Sequence, residues 1–288
     1  MPKLSDKKAT RELVGRYGFD FRKRFGQNFL VDENVILRTL EAAAITKDDV
    51  VIEIGPGIGT LTQYLAEAAF RVIAVEIDRD LVRILQDTLS DYDNVEIINK
   101  DVLKVDLNEV SEEYRAQGHP LKIAANLPYY ITTPILMHLF GRKVAAESVT
   151  VMVQQEVAER MTAGSGTKEY GALSLAVQYY SRPEIVMTVP PSSFYPPPKV
   201  TSAVVHMQLF RDPPVRAMDE ELLMRVIRAA FGQRRKTLVN ALSGAPGVPA
   251  GKEKIAESLR ALDLPPAVRG EALDLEQFAR LTDLLSSC

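Results

Sequence analysis

The chain has 288 residues, 46% of them apolar and 25% charged, with a net charge of −3 and a single cysteine at the last position. That length suits one large domain with a smaller one, and the lone Cys288 excludes a disulfide framework and a thiolate metal site. No run approaches the ~18 consecutive apolar residues of a membrane span, and the first residues carry charge without an apolar core, so the predicted compartment is the cytoplasm, with no membrane contact.

Residues 1–24 read as a basic N-terminal arm. The first thirty residues hold eight Lys/Arg against three Asp/Glu, a balance that suits nucleic-acid phosphates and plain solvent equally well. Beyond the arm, short apolar runs alternate with helical patterns. "VVIEI" (50–54), "RVIAVEI" (71–77), "VEIIN" (95–99) and "LKIAAN" (121–126) read as buried parallel strands, and "SVTVMVQQ" (148–155) as a fifth strand. Helices are predicted at "TLTQYLAEAA" (60–69) and "RDLVRILQDTLS" (79–90). "EIVMTVP" (184–190) and "TSAVVHMQLF" (201–210) look like a closing pair of strands. Strand–helix–strand repetition at this pace predicts an α/β fold, a Rossmann-like doubly wound sheet of seven mostly parallel strands over 25–210. From 211 to 288 the pattern is helical, at 219–242, 252–263 and 273–287, and predicts a small all-α domain.

"VVIEIGPGIGTLT" is the strongest local signal. A strand ends, glycines occupy positions 55, 57 and 59, and a helix starts. Glycine admits positive φ and close approach of a ligand, and the helix start offers unpaired N–H groups. The dinucleotide fingerprint needs a third glycine where Thr60 stands. The loop, preceded by Glu53, therefore suits a cofactor without a pyrophosphate. Glu76, at the end of the next strand, is placed to accept both ribose hydroxyls or to face solvent. Asp101 follows the third strand, where its carboxylate would accept from an adenine amino group or cap the next turn. Asn126 ends the fourth strand at the same edge. The three histidines show no ligand spacing, and no metal is expected.

"NLPYY" (126–130) follows that fourth strand. An exocyclic amine on a base is a poor nucleophile, because its lone pair is delocalised into the ring. Two acceptors aimed at its hydrogens favour the pyramidal form. Asn126 supplies a side-chain carbonyl and Leu127 a backbone carbonyl. Pro128 stiffens the turn, and Tyr129 offers a flat face for stacking. Methyl transfer from a sulfonium then needs positioning more than a strong base. Only the Tyr129 ring face is used, so Tyr129→Phe is expected to be nearly silent.

Taken jointly, "FGQNFLVD" (25–32), "EIGPGIGTLT" (53–62), "VEID" (75–78), "NLPYYITTPIL" (126–136), "SSFYPPPKVTSAV" (192–204) and "FGQRRKTLVNAL" (231–242) resemble the S-adenosylmethionine-dependent ribosomal RNA adenine dimethyltransferases. The nearest resemblance is to the bacterial small-subunit (16S) branch linked to kasugamycin sensitivity. The resemblance implies S-adenosyl-L-methionine as cofactor, with Asn28 and Leu30 closing over its methionine end, Gly55 at the loop, Glu76 at the ribose, Asp101 at the adenine, and Asn126 between cofactor and substrate. It also implies that Phe194 forms a second wall for the target adenine, although a core position fits the sequence too. The implied product is two adjacent dimethylated adenosines in a hairpin near the 3′ end of 16S rRNA, in the small subunit or its precursor, made by a monomer during ribosome biogenesis. Arg225, Arg228, Arg234, Arg235 and Lys236, with no acid among them, would then grip RNA phosphates.

Rivals are the related large-subunit methyltransferases of macrolide resistance, a DNA adenine methyltransferase, a non-catalytic assembly factor, and an NAD-linked dehydrogenase. Thr60 disfavours the last. The intact Glu76, Asp101 and Asn126 disfavour the non-catalytic factor.

Overall fold

A computed structural model describes residues 2–18 and 28–286. The chain forms two compact units, Met1–Ala158 with Glu184–Leu209, and Glu159–Pro183 with Phe210–Cys288. Sequence punctuation placed the division near residue 210. The structure also gives the second unit the segment 159–183, which no composition shift marks.

In the first unit, α1 (Lys7–Arg16) starts where Asp6 accepts from the Lys8 N–H. It buries Leu13 and Val14 in a cluster with Leu4, Phe29, Ile58, Leu81 and Ile84. The described part of the basic arm is therefore a packed helix and not a loose tail. Residues 19–24 lie outside the described residues. Next come β1 (Phe29–Leu30), α2 (Glu33–Ala42), β2 (Val50–Ile54), α3 (Thr60–Ala68), β3 (Arg71–Glu76) and α4 (Arg79–Thr88). They are followed by β4 (Val95–Asn99), α5 (Leu107–Ala116), β5 (Leu121–Asn126), α6 (Thr132–Gly141) and β6 (Ser148–Gln154). The chain then leaves through α7 (Gln155–Thr162) for α8 (Ala172–Tyr180) of the second unit and returns through β7 (Ser181–Val189), β8 (Phe194–Tyr195) and β9 (Ser202–Leu209).

The main sheet has seven strands in the order β4-β3-β2-β5-β6-β9-β7. β2 pairs parallel with β3 and β5, β3 with β4, and β5 with β6, while β6 pairs antiparallel with β9. The chain winds outward from β2 to β4, then restarts on the other side at β5. That reversal opens a crevice at the carboxyl ends of β2 and β5, the switch point where open α/β sheets bind ligands. β2 is buried throughout, as its unbroken apolar run predicts. β4 is only half-buried, because it is an edge strand with one flank uncovered, and here the prediction of a buried strand fails.

The second unit is helical. α9 (Glu220–Gly232) is capped by Asp219, which accepts from the Leu222 N–H at 2.8 Å, and it buries Leu222, Leu223, Val226 and Ile227. α10 (Leu238–Leu242), α11 (Lys252–Ala261) and α12 (Leu275–Ser286) follow. Phe231 meets Tyr170 edge-on at 5.9 Å and Phe278 at 6.1 Å between ring centroids. The single helix predicted over 219–242 is two, broken after Gly232 by a turn and resumed at Leu238. Among the described residues no helix is long and apolar enough to cross a membrane.

Candidate active site

The crevice is lined by the ends of four strands and by the chain entering β1. It encloses about 1080 Å³ counting its open mouth, ample for a nucleoside and a second planar ring. Asn28, Leu30, Gly55, Glu76, Asp101, Asn126, Leu127 and Tyr129 all face it.

The floor is the glycine loop. Gly55, Gly57 and Gly59 have φ of 70°, 64° and 94°, the left-handed region that favours glycine. A Cβ at Gly57 would meet the Phe29 ring at 3.2 Å, so a larger residue would have to push that ring aside as well as adopt the positive φ. Gly59 is the N-cap of α3, and the helix start therefore opens beside the loop.

Glu76 braces this floor. One of its carboxylate oxygens accepts from the Gly57 N–H at 3.2 Å and the other from the Asp78 N–H at 2.9 Å. The Asn99 side chain donates to the Glu76 backbone carbonyl at 2.8 Å. Asp101 accepts from the Leu103 N–H at 3.1 Å and also lines the crevice. Its capping role is thus present, and a ligand role remains compatible with it.

Two carboxyls here are held far from their usual state. Burial pushes Glu76 up to about 7, against the pull of its bonds from Asp78 and Gly57. Burial, with the nearby Glu76 charge adding to it, pushes Glu53 up to about 8. Glu53 lines the crevice at 1% exposure, and among the described residues its Oε2 has no hydrogen-bond partner. Thr60 Oγ1, also on the lining, is likewise buried and unpartnered among the described residues, while the neighbouring Thr62 hydroxyl pulls against the rise at Glu53. Glu53 drew no role from the sequence. Its signal was position, two residues before the first glycine of the loop. Orphaned polar atoms beside a glycine cradle fit a cofactor with a charged amino-acid end.

A stability prediction follows from Glu53. Below its ordinary value of 4.5 the folded and unfolded chains both bind the proton. Between 4.5 and about 8 the fold keeps a proton that the unfolded chain has released, so stability falls as pH rises. Glu53→Gln should gain on the wild type across that window in urea unfolding. A difference that stays constant with pH would contradict it.

"NLPYY" forms the wall. Asn126 Nδ2 donates to the Asn28 backbone carbonyl at 3.3 Å, which leaves its oxygen end as the acceptor a ligand amine can meet. The Leu127 N–H donates to the Met152 carbonyl at 3.1 Å, tying the turn to β6. Tyr129 lines the crevice, and its hydroxyl lies 2.7 Å from Ser202 Oγ. Tyr130 is 57% exposed at the same wall.

Phe194 stands elsewhere. It is 1% exposed, belongs to the core with Leu30, Val35, Val51, Met152 and Val204, and is not on the crevice lining. Of its two readings, a second wall for the target base or a core position, it stands here in the core as an anchor. The reason is pairing: Leu30 and Phe29 of β1 register antiparallel with Phe194 and Tyr195 of β8. Ser193 Oγ also donates to Asp32 at 2.7 Å. Phe194 thus fastens the Asn28–Leu30 segment from behind.

In the helical unit the basic residues divide. Arg225 pairs with Glu221 at 3.4 Å and Asp219 at 3.8 Å, and donates to the Gly247 carbonyl at 3.0 Å. Arg234 pairs with Glu271 at 3.3 Å and donates to the Lys168 carbonyl. These two are tied to their own unit. Arg228 donates from Nε to the Met224 carbonyl at 3.1 Å and is exposed on α9. Arg235 and Lys236 are exposed in the turn between α9 and α10, not on a helix face. Arg225 and Arg228 also line a hollow with Gln233 and Ser243.

With this geometry in view, the chain was compared with known proteins. The family model described as ribosomal RNA adenine dimethylase matches residues 18–266. A ribosomal RNA small subunit methyltransferase A from Lachnoclostridium phytofermentans is 56% identical over 99% of this chain and 98% of its own. Its namesake from Clostridioides difficile is 46% identical over 100% of this chain and 98% of its own. Among solved structures, a dimethyladenosine transferase from Plasmodium falciparum matches with a TM-score of 0.74 and 26% identity, over 88% of this chain and 95% of that one. The 23S rRNA methyltransferase ErmE matches with a TM-score of 0.66 and 26% identity, over 90% and 100%.

Proposed function

Because the chain belongs to the ribosomal RNA adenine dimethylase family, we propose that this crevice transfers methyl groups from S-adenosylmethionine to the exocyclic amine of two adjacent adenosines near the 3′ end of 16S rRNA. The observation that carries the reading is Asn126. Its Nδ2 is engaged by the Asn28 carbonyl, its oxygen is left to accept, and it lines the same crevice as the glycine loop and Glu76.

S-adenosylmethionine, when bound, supplies an electrophilic methyl group on a sulfonium. The Glu76 carboxylate would accept the ribose hydroxyls. The Gly55–Gly57 backbone and Asn28–Leu30 would enclose the methionine end, with Glu53 buried beneath. Asp101 would meet the adenine. The target base leaves its stack and lies on the Tyr129 ring, where Asn126 Oδ1 and the Leu127 carbonyl hold the amine hydrogens. The proton lost at each transfer passes to solvent, since the amine becomes strongly acidic as it is alkylated. One hydrogen remains after the first methyl and still finds an acceptor. None remains after the second, and the pair of acceptors loses its grip on the product.

The helical unit is assigned to RNA, through Arg228, Arg235 and Lys236 more than through Arg225 and Arg234. Reversing Arg235 and Lys236 to Glu should weaken RNA binding and flatten its salt dependence by about 1.5 in log–log slope, as two phosphate contacts are lost. Cofactor affinity should not move. An unchanged salt titration would assign these residues to solvent.

The reading places the enzyme in the cytoplasm as a monomer that meets the small subunit or its precursor. Offering labelled cofactor with separated small- and large-subunit RNA tests it. Label should enter the small-subunit RNA, and label confined to 23S RNA would favour the macrolide-resistance branch instead.

A further inference from the structure

The sequence treats Tyr129 as a bare ring, but the structure ties its far end. Its hydroxyl lies 2.7 Å from Ser202 Oγ, on a residue 73 positions later in the chain, inside the 192–204 motif but with no role assigned to it there. Ser202 is fully buried as the first residue of β9, opposite Gln154 of β6. β6 in turn pairs with β5, with Met152 opposite Asn126. The two residues proposed to handle the base are thus referred to one rigid frame: Asn126 through β5, and the Tyr129 ring through β9.

We propose that Ser202 is a positioning residue, which fixes where the Tyr129 ring stands and so the platform on which the target base stacks. A tyrosine side chain has two soft torsions. Pro128 limits the backbone before it, but nothing in "NLPYY" fixes the swing of the ring about Cα–Cβ. One hydrogen bond at the para position does, because Oη is the side-chain atom farthest from that axis. The phenol is half-buried, burial raises its pKa, and the Ser202 bond draws it back. A buried phenol of this kind needs a partner. The proposal rests on the reading of Tyr129 as the stacking platform. It also replaces the expectation that Tyr129→Phe is nearly silent.

The test is a double-mutant cycle on single-turnover methylation at saturating RNA and cofactor. Ser202→Ala and Tyr129→Phe should each slow the step about fivefold, the scale of one lost neutral hydrogen bond, with cofactor affinity unchanged. The double variant should be no slower than either single, because both remove the same bond. Ser202→Thr, which keeps the hydroxyl, should retain the rate. A 2-aminopurine at the target position should be brighter when bound to Ser202→Ala than to wild type, which reports poorer stacking and which a merely structural role would leave unmoved.

Wild-type rate and stacking in Ser202→Ala, or strictly additive losses in the cycle, would overturn the proposal. If Ser202→Ala does not fold, Tyr129→Phe decides: a wild-type rate overturns the proposal and a fivefold loss supports it. Asn126→Ala and Tyr129→Ala run alongside. Their impairment with Ser202→Ala intact rejects only this inference. Wild-type rates in all of them reject the platform itself.

Discussion

Asn126→Ala should lower the single-turnover methylation rate by about 10²-fold or more, the scale on which loss of one preorganised polar partner acts. The effect belongs to the chemical step, because the acceptor matters most when the amine pyramidalises and positive charge develops on it. RNA binding should change little, since phosphate contacts supply most of the affinity. Cofactor binding should weaken modestly, because Asn126 Nδ2 also holds the Asn28 carbonyl at 3.3 Å and so steadies the segment that closes the crevice. Measuring rate and both affinities on one variant separates transition-state loss from ground-state loss. A wild-type rate with weakened RNA binding would reassign Asn126 from chemistry to docking.

Glu76→Ala should weaken S-adenosylmethionine binding by roughly 1.5–3 kcal/mol, the scale of lost charge-assisted hydrogen bonds. Part of that loss is indirect, since the same carboxylate braces the Gly57 and Asp78 N–H groups. The pH dependence tests the role separately. Before a ligand binds, burial holds Glu76 up to about 7, so below that pH the carboxyl carries a proton. Ribose hydroxyls donating to it favour the charged form, and binding therefore expels the proton. Affinity should rise with pH up to about 7 and level off above it. Calorimetry in two buffers of different ionisation enthalpy reads that proton directly. Glu76→Gln should flatten the profile, and a profile that survives in Glu76→Gln would place the titrating group elsewhere.

The crevice was legible in the sequence because each of its parts is local. A buried strand that runs into Gly55, an acid at Glu76 and an amide at Asn126 each mark a strand end by residue type alone. What lay hidden depends on distant partners. Phe194 reads as a ligand wall or a core residue until β8 pairs with β1 and buries it. Arg234 sits in a run without acids, yet the fold brings Glu271 to 3.3 Å. Ser202 carries no local sign of its bond to Tyr129. Composition likewise could not assign residues 159–183 to the helical unit, because the chain leaves the sheet and returns to it without a break in pattern. The helix break after Gly232 was missed for the opposite reason: apolar periodicity on both sides of the turn stays in phase.

The most direct measurement is product identity. Wild-type protein, labelled S-adenosylmethionine and under-methylated small subunits are incubated, and the RNA is digested to nucleosides. The account predicts label in N6,N6-dimethyladenosine at two adjacent positions near the 3′ end of 16S rRNA. Label on a ribose, a pyrimidine or a guanine, or adenosine that stops at a single methyl group, would contradict it.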